Sequence, residues 1–309
     1  MTEYVQVPGR RLGKRPYVHD PSRAMLSDLR TGVALPAPAQ ASQWSTYVTS
    51  WPMYLNDTLG DCTCAEVGHH EQLFTATTGT EVTVADADVL ALYEQAGGYV
   101  PGQPATDQGA DIVTVLDDWV STGIAGRKAL AHAGVNPGDH DQVASAVQTF
   151  GGLSIGIQLP VAAQQMTGAW TAPPGWAETW TPAPIPAPGP PGPTPVQRPW
   201  WWRWWHDLFG VTRAETAKMG ARTPLTGAWA PGGWGGHCVF VLDVSATGVG
   251  LVTWGQYWTM EWGFWDAYVD EAHAVTDPDF IRSTGVDVSG YDLAQLEGYL
   301  GSLTPEATS

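Results

Sequence analysis

Basic residues are scarce in this chain. Its 309 residues include 14 Lys+Arg against 31 Asp+Glu, a formal net charge of −17. Such a surface repels a phosphate backbone, so nucleic acid is not an expected partner. Cysteine is scarce too, with three residues at Cys62, Cys64 and Cys238. Three thiols cannot build a disulfide framework; they fit a reducing compartment or a reactive thiol. No stretch approaches about 18 consecutive apolar residues. The N-terminus has no apolar segment of the kind a secretion signal needs. The expectation is a cytoplasmic chain without a membrane span.

What is present is unevenly spread. Residues 1–34 carry six Lys/Arg (Arg10, Arg11, Lys14, Arg15, Arg23, Arg30) against three acids, and residues 171–224 carry five against three. The rest keeps only Arg127, Lys128 and Arg282 against 25 acids. Solubility accounts for an acidic body. A sharper reading is that the basic segments lie on it or steer it to an acidic partner. Three parts follow: a basic N-terminal arm (1–34), a domain formed by 35–170 and 225–309, and a Pro/Trp-rich insertion (171–224). The proline run Thr181–Pro195 cannot form helix or sheet and reads as an extended linker. Trp200-Trp201-Trp202-Arg203-Trp204-Trp205 follows it. So many indoles imply packing on the domain or docking to a partner protein or virion surface, with a membrane interface as the remaining reading.

The apolar pattern predicts helices over 62–77, from about 86, over 111–122 and over 139–150, with Gly151-Gly152 ending the last. Leu153–Ile157, Val239–Leu242 and Val249–Trp254 read as strands. Trp44–Val48 reads as extended and Trp262–Ala274 as a further helix. Helices early and strands late indicate an α+β fold.

One constellation carries chemistry. Asn56 stands six residues before Cys62 in Asn56-Asp57-Thr58-Leu59-Gly60-Asp61-Cys62-Thr63, and Gly235-Gly236-His237-Cys238 opens an apolar strand. A thiol at a helix start, an amide just before it and a glycine-flanked histidine are the parts of a thiol–imidazole nucleophilic site. A buried core cysteine is the plainer reading of Cys62 alone, and the one adopted for Cys64 and Cys238. A zinc set of Cys62, Cys64, His69 and His237 lacks the usual spacing, so neither a metal nor a cofactor is expected.

Taken in order, these segments resemble the papain-like cysteine peptidases. Leu35-Pro36 with Trp44 is similar to the start of the mature domain, and Asn56–Thr63 to the nucleophile segment. Phe150–Ile157 is similar to a family strand, Gly236-His237-Cys238-Val239 to the histidine strand, and Leu251–Gly255 to the Asn-Ser-Trp-Gly segment. The form is that of divergent actinobacterial and phage-encoded members. The resemblance implies a helical subdomain whose nucleophile helix packs on an antiparallel β subdomain. It also implies a peptide or protein substrate. Cys62 is then the nucleophile, held as thiolate by His237 and the helix N-terminus, and Asn56 is an oxyanion donor. Aligning Trp254-Gly255 puts Val252 at the place of the histidine-orienting Asn. Thr253, and after it Gln256, are the polar substitutes, with Thr253 on the opposite face unless a bulge intervenes. The basic arm precedes the mature start, as either a propeptide-like cover or a docking arm. A structural or partner-binding protein of phage association, keeping the fold with a weakened site, is the other class considered.

Overall fold

A computed structural model describes residues 7–23, 25–26, 41–176, 224–278 and 280. The chain divides into two units, 1–182 with 226–309, and 183–225; the first is described below. The tryptophan run, the proline run and Leu35-Pro36 lie outside the described residues.

Among the described residues five helices and eight strands follow one another in the order β1 (Ser42–Gln43), α1 (Cys62–Thr77), α2 (Asp86–Gly97), α3 (Ile112–Ser121), β2 (Ala131–Gly134), α4 (His140–Phe150), β3 (Leu153–Leu159), β4 (Ala169–Trp170), β5 (Gly235–Ser245), β6 (Gly248–Thr253), β7 (Gln256–Glu261), α5 (Trp262–Tyr268) and β8 (Val269–Thr276). The fold is α+β, built on a mostly antiparallel sheet of order β2-β8-β3-β5-β6-β7-β4. Only the short β4 runs parallel to its neighbour β7, and β1 pairs with β5.

Each helix has a local cause. The α3 stripe Ile112, Val115, Leu116 and Trp119 is buried along one face at helical spacing. Asp139 caps α4 by accepting the Gln142 N–H, and Gly151, in the left-handed region at φ 79°, ends it. The α1 helix is different, being buried from Cys62 to Thr75. It lies between α2 and α3 and the sheet, so its polar side chains need partners inside the protein. Trp119 Nε1 donates to Glu71 (2.9 Å), Ser154 Oγ donates to Glu66, His69 Nε2 meets Pro52 O (2.9 Å), and Gln72 donates to Ser50 O (3.0 Å). On its sheet side Leu73 packs with Phe240, Leu242 and Val252.

Two segments depart from the sequence reading. Trp44–Tyr47 forms a 3-10 turn rather than an extended stretch. The Asp243 carboxylate accepts from Ser45 N and Oγ (3.0 and 2.5 Å), and Trp44 Nε1 donates to Val147 O, which wraps the chain. The helix expected over 262–274 stops at Tyr268, and the rest is β8, hydrogen-bonded between β2 and β3. Pairing on both edges outweighs the helical spacing of Trp262, Trp265 and Val269. Trp258, Trp262 and Trp265 are all buried. Among the described residues no helix is long and apolar enough to cross a membrane.

Candidate active site

Cys62 is the first residue of α1, with Asp61 at the cap position. Its sulfur meets β5 at the main chain and accepts the Cys238 N–H at 3.4 Å. That N–H is free of the neighbouring strand, because β6 pairs with β5 only from Phe240 onward. Alternation sends the Cys238 side chain into the core shared with Cys62 and α1. His237 faces the other way. Its imidazole stacks on Trp254 (centroids 4.5 Å apart, planes 12° apart) and stands edge-on to Trp170.

Thr253 Oγ1 lies 2.7 Å from His237 Nε2. Thr253 therefore shares a face with His237, contrary to the face predicted by counting from Val252. The register gives the reason. Val252 pairs directly with Phe240, so it shares the face of Phe240 and Cys238, and the next residue falls on that of His237. No bulge at Thr253 is needed. Thr253 pairs with Gln256 across a two-residue hairpin whose central residues, Trp254 (φ 48°) and Gly255 (φ 67°), are both left-handed. That is the turn favoured by strand twist, and it lays the indole over the imidazole. Gln256, the second polar candidate, is exposed.

Asn56, Cys62 and Thr253 line one small void with Glu66, His69 and Trp254. The void measures about 10 Å³, less than a substrate group requires. The four residues singled out by sequence thus converge, through the void and the His237–Thr253 contact. They are not in working contact. His237 Nδ1 is buried without a hydrogen-bond partner. Asn56 Nδ2 is occupied, donating to Asp61 Oδ1 (3.1 Å) and Leu59 O (3.2 Å).

The electrostatics differ from the expected thiolate–imidazolium pair. Burial pushes the Cys62 thiol up to about 12, and the Asp61 charge adds to that, against the opposing N–H groups of Cys238 and Gly13. Burial takes His237 down to about 3, with the Arg10 charge in the same direction. The Asp61 carboxyl is itself held well above its ordinary range by burial. In this conformation the thiol and the imidazole are both neutral at neutral pH.

The cause is the N-terminal arm, which sequence reasoning flagged for its charge but could not place. Residues 10–15 run extended over the thiol, bonded to both walls. On the helical side, Arg11 N–H donates to Asn56 O (3.0 Å), Ala110 N–H to Gly13 O (2.9 Å), and Arg15 N–H to Ala110 O (3.1 Å). On the sheet side, Lys14 N–H donates to Gly236 O (3.1 Å) and Trp254 Nε1 to Arg11 O (3.1 Å). The Arg10 guanidinium covers the Trp254 and Trp258 rings at 5.1 and 4.9 Å and donates to Met166 O (3.0 Å). The approach is so close that a Cβ on Gly13 would overlap the Gly60 carbonyl, and one on Gly109 or Gly236 would strike the strap itself.

These features can be set against known proteins. No family model matches the chain, and no curated protein matches its sequence. Solved structures do match. Xylellain, a cysteine protease from Xylella fastidiosa, aligns with a TM-score of 0.54 at 10% identity, over 89% of this chain and 99% of that one. The fold is papain-like. Looser alignments include a Carica candamarcensis cysteine protease (TM-score 0.45, 11% identity, 77% of this chain and 98% of that one) and procathepsin B from Trypanosoma congolense (0.47, 9%, 88% and 88%). A papain-like α+β frame at this identity accounts for where α1 and β5 meet and leaves the chemistry to the residues placed there.

Proposed function

We propose that this chain is a papain-like cysteine hydrolase of peptide or related amide bonds, held closed by its own N-terminal strap. The convergence of Asn56, Cys62, His237 and Thr253 at the junction of α1 and the sheet supports this most strongly. Thr253 is the positioning residue. With Oγ1 on Nε2, the imidazole presents Nδ1, its one unpartnered nitrogen, for proton exchange.

Once the strap lifts, water and a substrate reach the thiol and the burial that disfavours its ionised form is relieved. His237 takes the thiol proton, and the sulfur bonds to the carbonyl carbon as the carbonyl electron pair moves to oxygen. Cys62 N–H, in the first turn of α1, and Asn56 Nδ2 stabilise that oxygen, provided Asn56 leaves Asp61. As the C–N bond breaks, His237 gives the proton to the leaving amine. Water then attacks the thioester by the reverse sequence, releasing the acid and the thiol.

A second reading is a phage- or prophage-associated structural or partner-binding protein that keeps the papain-like frame. The occupied Asn56 amide and the neutral, covered thiol favour it. A peptidyl vinyl-sulfone or epoxide probe separates the two, with Cys62→Ala as control. The hydrolase is expected to be labelled at Cys62, slowly in the intact chain and at least about tenfold faster in Lys14→Glu, where a carboxylate replaces the strap's buried cation. A Lys14→Glu chain that stays folded and whose Cys62 reacts no faster than a free thiol rules the hydrolase out.

A further inference from the structure

The strap enters the site as a peptide would, with main-chain bonds to both walls, and it carries one side chain into the protein. Lys14 Nζ is fully buried, 2.8 Å from Glu271 Oε1 and 3.0 Å from Asp270 Oδ2. The two carboxylates belong to this pocket by construction. Gln158 Nε2 holds Asp270 Oδ2 at 2.6 Å, and His273 Nε2 meets Glu271 Oε2 at 3.1 Å. Gly156 on β3 leaves the room: a Cβ there would overlap Lys14 Cε and crowd Glu271 and Asp270. One residue away along the strap, the Gly13 N–H points at the Cys62 sulfur. A cavity of about 870 Å³ opens beyond Asp270 and Glu271. Asp20, Asp111 and Asp117 line it as well, and its one cationic side chain, Arg23, is paired to Asp117 at 2.7 Å.

We propose that the acidic pocket now filled by Lys14 is the specificity pocket of this site, and that it selects peptides bringing a Lys or Arg side chain beside the scissile bond. Lys14 is the internal occupant that keeps it shut. The inference rests on reading Cys62 as a peptide-cleaving nucleophile, but the pocket can be tested without any cleavage. Glu271 is buried and Asp270 half-buried, so leaving them without a cation is costly and a strap that leaves favours a replacement of the same charge. An uncharged side chain of the same length forfeits both charge-assisted hydrogen bonds.

The test uses the full chain carrying Cys62→Ala and Lys14→Met, and two synthetic peptides: the strap sequence Arg-Arg-Leu-Gly-Lys-Arg and its analogue with norleucine for lysine. Calorimetry is expected to show the lysine peptide binding about 10- to 100-fold tighter, and Glu271→Gln with Asp270→Asn to abolish the difference. Equal binding, or a preference that survives loss of both carboxylates, overturns the proposal. The unaltered chain gives a second measurement that does not depend on the variant folding. Excess lysine peptide is expected to expose the Lys14 amine to acylation while the norleucine peptide does not; equal protection with both also overturns it. A lysine preference in binding with no hydrolysis by a Lys14→Met chain that keeps Cys62 would leave the pocket standing and remove the hydrolase.

Discussion

Two buried clusters lie one residue apart under the same strap, and burial has opposite results in them. Around Cys62 and His237, withdrawal from water wins: the thiol rises to about 12 and the imidazole falls to about 3. Around Lys14, burial pulls the amine down, but the charges of Glu271 and Asp270 outweigh it and hold it above its ordinary value. Burial alone would raise Glu271, yet the His273 hydrogen bond and the Lys14 charge hold it below. What differs is the partner, a pair of full charges in one case and main-chain dipoles in the other. The molecule therefore spends the Lys14 ion pairs on holding the strap in place and leaves the Cys62 thiol uncharged beneath it.

The strongest way to break this comparison leaves every charge alone. Gly13→Ala drives a methyl into the Gly60 carbonyl, so the strap cannot seat although Lys14 and its two carboxylate partners are unaltered. Alkylation of Cys62 by iodoacetamide is expected to rise by about 10²-fold, on the scale of a 1–3 kcal/mol overpacking penalty. An unchanged rate in a folded variant means that the strap does not guard the thiol.

The pH dependence sharpens the same contrast. A free thiol, with pKa about 8.5, becomes some tenfold more reactive per pH unit below that value. Cys62 under the strap is expected to react more slowly than a free thiol and to keep rising about tenfold per pH unit past pH 9, where a free thiol has levelled off, since its folded pKa of about 12 lies far above. For the anchor the sign reverses. Glu271 has a depressed folded pKa, so its contribution is present above the unfolded value of about 4.3 and is lost as pH falls through the folded one. Alkylation profiles at alkaline and acid pH would read both windows. A Cys62 profile that levels off above about pH 8.5, as a free thiol's does, removes the difference between the clusters.

The smallest effect is expected at Thr253. Thr253→Val keeps the shape and leaves His237 Nε2 without its partner, at about 1–3 kcal/mol of stability. In a chain opened at Gly13 it should also slow probe labelling by about 10- to 100-fold without changing the probe's apparent binding. An unaltered labelling rate would remove Thr253 from its positioning role.

Much of this was legible in the residues themselves. Asn56, Gly60 and Cys62 announce the start of α1 because a small-residue turn feeding a helix is a local event, and the α3 and α4 stripes are local too. Thr253 was named as a candidate but put on the face away from His237, which it in fact touches. Which face it takes depends on the pairing of Val252 with Phe240, a register between strands that no single segment encodes. The helix expected to reach Ala274 failed for a related reason, since β8 exists only because β2 and β3 claim its two edges. The strap was visible as a run of basic residues. Its seat was not, because that depends on Gly13, Gly60 and Gly109 meeting from distant parts of the chain.

Trp254 has a further consequence. Its N–H is tied to the strap at Arg11 O, while its flat face rests on the His237 ring. One indole thus links the imidazole to the strap. Lifting the strap would break that tether and open the ring's surroundings to solvent in the same movement, so uncovering the thiol and raising the basicity of the imidazole would be a single event.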